Sequence, residues 1–347
     1  MIPGTELLRQ VSGWQTALAQ AITDPAELLD VLGLGPEWLP AARDAGRAFP
    51  LRVPRGFAAR MRRGDPNDPL LRQVLPLAAE LLSAPGFGTD PVGERAAEQA
   101  PGVLHKYQGR VLLTATGACA VHCRYCFRRH FPYEQANASA DGWRVALDTI
   151  GADSSITEVI LSGGDPLTLS DRRLAGFVQQ LARLPHVTRL RVHSRLPVVL
   201  PERITPLLCD ALAGTRLRVV LVLHANHAQE LDTPVRQACV RLAERGILLL
   251  NQSVLLRGVN DSVEALAMLS ETLFAAGVLP YYLHLLDRVQ GAAHFEVRDE
   301  TALALHAGIN ACLPGYLVPR LVREVPGAPG KSPLLACAVK GGAFQWV

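Results

Sequence analysis

The sequence predicts an α/β protein, a partial (β/α)6 barrel preceded by a helical N-terminal region. From Arg110 onward, strand-length runs of Val, Ile and Leu alternate with stretches whose apolar residues have helical spacing. Continuous apolar strands that alternate with amphipathic helices are typical of parallel sheets with right-handed crossovers. A polar cluster also follows nearly every predicted strand, as expected where the carboxyl ends of barrel strands converge on one mouth.

The predicted barrel contains six strands and six helices that alternate along the chain. The strands are Val111–Thr116, Glu158–Ser162, Arg189–His193, Leu217–His224, Ile247–Val254 and Tyr281–Leu286. The helices are Gly142–Ile150, Asp171–Leu184, Thr205–Leu212, Pro234–Glu244, Ser262–Phe274 and Thr301–Asn310. The polar clusters after the strands are, in order, TGAC, SGGDP, HSR, HANH, NQS and LLDRVQG. We expect these clusters to line a common site.

Residues 1–104 are predicted to form the helical region, and residues 105–347 the barrel with its C-terminal segment. Apolar residues have helical spacing in Ala26–Leu32 and in Gln73–Leu82. Turn-forming sequences such as GDPNDP and APGF separate the helical segments. No residues suited to catalysis stand out in this region.

The 347 residues are 49% hydrophobic, enough for a large core, and carry a net charge of only +3. So small a charge gives no reason to expect a nucleic acid as an obligatory partner. The apolar runs are too short to span a bilayer, and the N-terminal MIPGTELLRQ lacks the basic and apolar parts of a signal peptide. We therefore expect a cytosolic protein without a membrane partner.

Seven cysteines are present, and an odd number in a cytosolic chain does not suggest a disulfide framework. Four of them are scattered in apolar contexts, where a free cysteine behaves as a small buried hydrophobe. These four are Cys209, Cys239, Cys312 and Cys337.

The other three cysteines form the motif C-x3-C-x2-C, at Cys119, Cys123 and Cys126. They could be unconnected core cysteines. They could belong to a structural zinc site, which normally takes four protein ligands, with His122 or His130 as the fourth. They could also hold an iron–sulfur cluster, for which four thiolates are usual, so that three would leave one iron open.

The motif, followed by the aromatic Phe127, resembles the signature of the radical S-adenosylmethionine superfamily. The resemblance implies a [4Fe–4S] cluster whose open iron binds the amino and carboxylate groups of S-adenosylmethionine. An electron from the cluster then cleaves S-adenosylmethionine to a 5′-deoxyadenosyl radical. The segment Ser162, Gly163, Gly164 and Asp165 resembles the glycine-rich strand end of that superfamily, whose backbone approaches the methionine amino group. Taken alone, the segment would be only a turn.

Longer stretches resemble one family within that superfamily. The chain contains, in the order found in the lysine 2,3-aminomutase family, HKYQGRVLL, CRYCFRRHF, LSGGDPL, HSRLPVVLPERI, NQSVLLRGVND, YYLHLLDRVQGAAHF and VREVPGAPGK. These motifs are most similar to the branch that makes β-lysine for modification of elongation factor P. The resemblance implies pyridoxal phosphate as a further cofactor and conversion of L-α-lysine to (R)-β-lysine. It also implies a flavodoxin- or ferredoxin-like electron donor and a separate ligase that attaches the product to elongation factor P.

The same resemblance assigns contacts to pyridoxal phosphate. Lys331 matches the lysine that forms the resting Schiff base, whereas without the resemblance it would be taken for a solvated loop lysine. Arg195 matches an arginine that contacts the phosphate, a group that suits a guanidinium fork. The remaining residues matched to positions near this cofactor are Lys106, Tyr107, Arg110 and Gln252.

Three charged residues match substrate contacts. Arg128 matches the arginine that binds the carboxylate of lysine, and Asp287 and Glu324 match the acids that hold its distal ammonium. A substrate with opposite charges at its ends is recognised by an arginine at one end and by acids at the other. Taken alone, Asp287 would be a helix N-cap or a loop acid.

Two alternative functions remain open from the sequence. The first is an aminomutase for another amino acid such as glutamate, although Asp287 and Glu324 would repel an acidic side chain. The second is a zinc-stabilised binding protein, which analysis of iron, sulfide and zinc would distinguish from an iron–sulfur enzyme.

Overall fold

A computed structural model describes residues 13–134, 136–139, 141, 143–338 and 344–346, with side chains up to residue 335. Its strands are β1 (Glu98–Ala100), β2 (Val103–Tyr107), β3 (Arg110–Thr114), β4 (Glu158–Ser162), β5 (Arg189–Ser194), β6 (Arg218–Leu223), β7 (Leu248–Val254), β8 (Leu279–His284), β9 (Arg320–Arg323), β10 (Ser332–Pro333), β11 (Ala336–Ala338) and β12 (Phe344–Trp346). Strands β1 to β10 form one sheet in chain order, and β11 pairs with β12.

The sheet is parallel from β3 to β9. Its edges are antiparallel, because β1 pairs with β2, β2 with β3, and β10 with β9. Strands β3 to β8 confirm the predicted (β/α)6 arrangement, and the strand order does not close on itself among the described residues, so the barrel is partial. The seventh parallel strand, β9, was not predicted, because its four residues, RLVR, are too short to show a pattern.

The helices are α1 (Gly13–Ala19), α2 (Pro25–Leu32), α3 (Leu39–Ala48), α4 (Arg55–Ala58), α5 (Pro69–Arg72), α6 (Arg144–Ala152), α7 (Asp171–Leu181), α8 (Leu196–Val199), α9 (Pro206–Ala213), α10 (Thr233–Ala243), α11 (Val263–Ala275) and α12 (Asp299–Cys312). The six predicted barrel helices are confirmed as α6, α7 and α9 to α12. Helix α7 illustrates why they form: Ser170 accepts a hydrogen bond from the Arg173 backbone at the N-cap. The buried residues Leu174, Phe177, Val178 and Leu181 then recur with helical spacing.

The N-terminal prediction was right for one segment and wrong for the other. Ala26–Leu32 lies within α2, as predicted. Gln73–Leu82 is not a single helix: only Ala78–Leu81 is helical, as a short 3-10 turn. Pro76 stands in the middle of the stretch, where it lacks a backbone N–H and disfavours a helical conformation at the residue before it.

One cluster of buried apolar residues joins the N-terminal helices to the sheet, and contains Leu28 and Phe57 together with Val111 and Leu221. The division into residues 1–104 and 105–347 stays a prediction, and β1 and β2 begin before residue 105. No helix among the described residues is both long and apolar enough to cross a membrane.

The scattered cysteines were predicted to be buried. Cys209 and Cys239 are buried free cysteines, as predicted. Cys312 is exposed, so that prediction was wrong: it is the last residue of α12 and is not among the residues that this helix buries. The side chain of Cys337 lies outside the described residues.

Candidate active site

The carboxyl ends of the parallel strands open onto a cavity of about 550 Å³. This volume is typical of pockets that bind cofactors and small substrates. Each predicted polar cluster contributes at least one residue to the lining, which confirms the expectation of a common site. The lining includes every site residue proposed from the sequence: Lys106, Tyr107, Arg110, Cys119, Cys123, Cys126, Arg128, Ser162, Gly163, Gly164, Asp165, Arg195, Gln252, Asp287, Glu324 and Lys331.

The cysteine-containing loop after β3 is held in place by buried charges. The backbone N–H of Arg124 donates to Gln73 O at 2.9 Å. The Arg124 side chain donates to both carboxylate oxygens of Glu80, and Arg129 donates to the same carboxylate at 2.8 Å. Arg129 also donates to Gly291 O at 3.1 Å, in the loop after β8. Glu80, which the sequence did not single out, therefore ties the loop to the N-terminal region, and Arg129 ties it to the loop after β8.

The three clustered cysteines are free thiols on the cavity wall. Burial raises the pKa of Cys119 well above its usual value and that of Cys126 to about 11, and neighbouring thiols act in the same direction. Arg195 Nη1 donates to Cys123 Sγ at 2.7 Å. Within the described residues, no group of three or more His, Cys, Asp or Glu side chains is arranged to hold a metal ion. The chemistry of the three thiols and their place on one cavity suit iron ligation, whereas their arrangement does not itself form a metal site.

The glycine pair after β4 packs directly against the cysteine-containing loop. Gly163 has a φ of 115°, which side-chain-bearing residues rarely adopt. A Cβ on Gly164 would lie 2.4 Å from Ala118 O, so only glycine fits there. This close approach allows Gly164 N to donate to Thr116 O at 2.6 Å, and Asp165 N to Ala118 O at 2.7 Å. The glycines thus fix the position of the loop that carries the cysteines.

The Asp165 carboxylate is fully engaged with the protein. It accepts hydrogen bonds from Ser194 Oγ and from the backbone N–H groups of Leu167, Arg195 and Leu196, at 2.8–3.1 Å. Burial raises the pKa of Asp165, although these hydrogen bonds oppose the shift. Asp165 therefore joins the loops after β4 and β5, and its contact with a cofactor stays a prediction.

Arg195 is likewise surrounded by internal partners. Its Nη2 donates to Gln73 Oε1 at 2.6 Å and to Glu230 Oε2 at 3.1 Å, in addition to the Nη1 contact with Cys123. Only its Nε is buried without a partner among the described residues. The predicted contact with a phosphate stays a prediction. In this structure the guanidinium is paired with Gln73 and Glu230 and lies beside Cys123.

Arg128 forms a buried, two-pronged ion pair with Glu94. Arg128 Nε donates to Glu94 Oε2 at 2.7 Å, and Nη2 donates to Oε1 at 2.6 Å. Its Nη1 donates to Ser162 Oγ at 2.8 Å. Burial alone would lower the pKa of Arg128, but Glu94 outweighs burial and raises the pKa above its usual value. Arg128 is thus permanently charged at the cavity wall.

Glu324 and Asp287 form an acidic part of the cavity lined by cationic groups. Glu324 accepts hydrogen bonds from Tyr107 at 2.5 Å and Lys331 at 2.9 Å, with Lys106 at 3.4 Å. Burial would raise the pKa of Glu324, but Lys331, Tyr107 and Lys106 together lower it. Burial raises the pKa of Asp287 to about 7, with Lys331 opposing the shift.

Two relatives resemble the chain over nearly its whole length. It is 52% identical over 322 residues to the L-lysine 2,3-aminomutase of Escherichia coli (strain K12), covering 92% of this chain and 94% of that protein. It is 47% identical over 332 residues to the L-lysine 2,3-aminomutase of Haemophilus influenzae, covering 96% and 98%. The chain belongs to the lysine 2,3-aminomutase family.

Family membership confirms the resemblance found in the motifs, and this aminomutase is an isomerase rather than a zinc-stabilised binding protein. No protein-family model matches the chain. Among solved structures, a radical SAM methyltransferase from Sphaerobacter thermophilus is similar, with a TM-score of 0.43 and 18% identity, covering 64% of this chain and 68% of that chain.

Three cavity histidines were not identified as site residues from the sequence. His193, His224 and His284 lie at the ends of β5, β6 and β8, and the Nε2 atom of each is buried without a partner among the described residues. Burial lowers the pKa of all three, that of His224 to about 3, so the rings are neutral. A buried polar atom without a partner is costly, so each Nε2 is suited to a hydrogen bond with a polar ligand or a water. Their positions in the strand-end motifs HSR, HANH and YYLHLL were the sequence signal that could have identified them as site residues.

Gln252 and Arg110 complete the polar lining. Gln252 Oε1 is buried and has no partner among the described residues. Arg110 lies over the ring of Tyr107, 4.7 Å from its centre, and makes no ion pair within the described part of the chain. A guanidinium without a carboxylate partner is suited to bind an anionic ligand such as a phosphate.

Proposed function

We propose that this aminomutase converts L-α-lysine to (R)-β-lysine. The observation that supports this substrate is the charge pattern of the cavity, which carries Arg128 together with the carboxylates of Asp287 and Glu324. An arginine suits the carboxylate of the substrate, and the two acids suit its distal ammonium. An acidic substrate such as glutamate would place a second carboxylate against Asp287 and Glu324, which is unfavourable.

The residues present fit the cofactors that the chemistry needs. Three free thiols on the wall, Cys119, Cys123 and Cys126, would hold a [4Fe–4S] cluster with one open iron. S-adenosylmethionine would lie at that iron, next to the backbone of the Ser162–Asp165 segment. Gln252 and three histidines carry buried polar atoms that have no hydrogen-bond partner among the residues with described side chains, and these atoms fit a polar cofactor in the same cavity.

Pyridoxal phosphate would be held by Lys331 and by neighbouring polar groups. Those groups are Lys106, Tyr107, Arg110, Arg195 and Gln252. When bound, the cluster with S-adenosylmethionine supplies the radical that removes hydrogen from C3 of lysine, and pyridoxal phosphate supplies the π-system that allows nitrogen to move from C2 to C3.

The side chains of the aminomutase itself bind and orient the substrate. Arg128 keeps its charge because of Glu94 and holds the carboxylate end of the substrate. Lys331 Nζ donates to Glu324 Oε2 at 2.9 Å, so Lys331 must leave this carboxylate before its nitrogen can act as a nucleophile. Glu324 is then available, with Asp287, for the ammonium of the substrate.

The product would serve the modification of elongation factor P in the cytosol, through a separate ligase, and the cluster would receive electrons from a flavodoxin- or ferredoxin-like donor. This part is supported by the motifs shared with the branch that makes β-lysine for that modification. Purified ligase and elongation factor P, supplied with the reaction product, should give elongation factor P with the added mass of β-lysine. If elongation factor P stays unmodified, the proposed use of the product is wrong, while the proposed reaction still stands.

Anaerobic turnover of free L-lysine tests the catalytic proposal. The protein is reconstituted with iron, sulfide and pyridoxal phosphate, then incubated with S-adenosylmethionine, a reductant and L-lysine. We expect (R)-β-lysine by chiral chromatography and no product from glutamate. Turnover of glutamate without turnover of lysine would overturn the proposal.

A further inference from the structure

We propose that Glu94 is a positioning residue that holds the guanidinium of Arg128 in the orientation that receives the carboxylate of the amino-acid substrate. This inference rests on the substrate role given to Arg128 in the proposed function. Glu94 lies 34 residues before Arg128, in the segment that leads from the N-terminal helices to β1. Nothing in the sequence pairs the two residues.

The contacts leave Arg128 with limited freedom. Glu94 accepts from Nε and from Nη2, so it binds along one side of the guanidinium with both carboxylate oxygens. Nη1 donates to Ser162 Oγ at 2.8 Å and, at a longer 3.3 Å, to Gly163 O. A guanidinium has five N–H groups, and Nη2 keeps one of them without a partner among the described residues. That remaining N–H is available to a ligand carboxylate while Glu94 stays bound.

Burial makes this pairing necessary. The side chains of Arg128 and Glu94 are only 6% and 5% exposed. A buried arginine without a carboxylate partner would be strongly destabilised, and with Ser162 as its only close side-chain partner the guanidinium could rotate. Glu94 is itself fixed, because its backbone N–H donates to Asp90 Oδ1 at 2.9 Å. A carboxylate on a fixed turn can therefore define the plane of the guanidinium.

The decisive comparison uses two ligands that differ only in the group read by Arg128. L-Lysine carries the carboxylate, whereas 1,5-diaminopentane keeps both nitrogens of lysine and lacks the carboxylate. In reconstituted holoenzyme, we expect Glu94→Gln to raise KM for lysine about tenfold, the lower end of the effect of removing a charged hydrogen-bonded partner. We expect kcat, and the inhibition constant of 1,5-diaminopentane, to change less than about twofold.

Three further variants complete the design. Glu94→Asp keeps the charge and should recover part of the affinity for lysine, and Arg128→Lys should also raise KM. Asp171→Asn is the matched control, because Asp171 pairs with the buried Arg203 at 2.7 Å away from the cavity. It should lower thermal stability without changing KM for lysine.

Several outcomes would overturn the inference. A parallel rise in KM and in the inhibition constant would show a general structural effect, and a fall in KM would show that Glu94 competes with the substrate. If the wild type turns over a different amino acid, the proposed function fails. In that case KM for the other amino acid and the inhibition constant of its decarboxylated amine are measured in the wild type and in Glu94→Gln. A rise in KM alone would support the role of Glu94 even though the proposed function has failed.

Discussion

Lys331 Nζ lies 2.9 Å from Glu324 Oε2, and the two residues are seven positions apart in the chain. Glu324 directly follows β9, and Lys331 directly precedes β10. These strands pair antiparallel with Arg323 opposite Ser332, so the hairpin brings the two side chains together. The ammonium of Lys331 thus occupies the Glu324 carboxylate, which we propose as a binding partner for the distal ammonium of the substrate.

Replacement of Lys331 by Ala should remove the absorbance of pyridoxal phosphate bound covalently to the protein. Turnover should fall at least about a thousandfold, as expected when a group that bonds covalently to a cofactor is lost. Lys106→Ala is the control, since Lys106 lines the same cavity and contacts Glu324. Because Lys106 is assigned to hold the coenzyme without bonding to it, Lys106→Ala should bind pyridoxal phosphate less tightly but keep the absorbance band once the coenzyme is saturating. A band that persists in Lys331→Ala would place the covalent bond on another residue.

Asp287 should make stability depend on pH in a defined window. Burial raises its pKa to about 7, from an ordinary value of 3.8. Between these values the folded protein holds a proton that the unfolded chain has lost, so stability falls as pH rises toward 7 and is level above it. Asp287→Asn removes this effect, so its gain in melting temperature over the wild type should grow from about pH 5 to about pH 7.

Glu324→Gln is the matched control for that pH series. The pKa of Glu324 is lowered from 4.5, because its cationic neighbours outweigh burial, so its stabilising effect is lost only as pH falls below 4.5. Glu324 also helps to raise the pKa of Asp287, although less than burial does, so the difference between Glu324→Gln and the wild type should change only a little from about pH 5 to about pH 7. An Asp287→Asn difference that changes no more than the Glu324→Gln difference would show that the Asp287 carboxyl is not shifted.

Replacement of Gly164 by Ala should disturb the cysteine-containing loop. The added Cβ would lie 2.4 Å from Ala118 O, so backbone must move, at a cost of about 1–3 kcal/mol. We expect most of the bound iron to be lost after reconstitution. Gly176→Ala, in α7 with nothing within 4 Å of the new Cβ, should keep its iron and be at least as stable as the wild type. Normal iron content in Gly164→Ala would contradict the packing argument.

Metal content tests the cysteine motif directly. Anaerobically reconstituted wild type should contain about four iron and four sulfide ions per chain. Cys123→Ala should lose most of both, whereas Cys239→Ala, a buried cysteine outside the cavity lining, should keep them. A colourless wild type with one zinc ion would refute the cluster.

Much of the fold was predictable because its signals are local. Apolar runs such as EVILS and RVVLVL predicted β4 and β6 from residues adjacent in the chain. Pro76 is also a local signal, but the prediction of a helix over Gln73–Leu82 gave more weight to the spacing of apolar residues than to this proline. Strand β9 was not predicted, because four residues are too few to show a recurring pattern of apolar residues.

The sequence by itself determined the order of strands and helices, the residue types at the strand ends and the family, because these depend on neighbouring residues and on motifs that keep their order. Only the tertiary structure decided which charges are paired. Glu94 meets Arg128 across 34 positions and Glu80 meets Arg124 across 44. A buried charge must find a partner wherever the chain path brings one, and that path is fixed by the packing of the whole core. The same packing left the Nε2 atoms of His193, His224 and His284 buried on the cavity without a hydrogen-bond partner in the part of the chain that the structure describes.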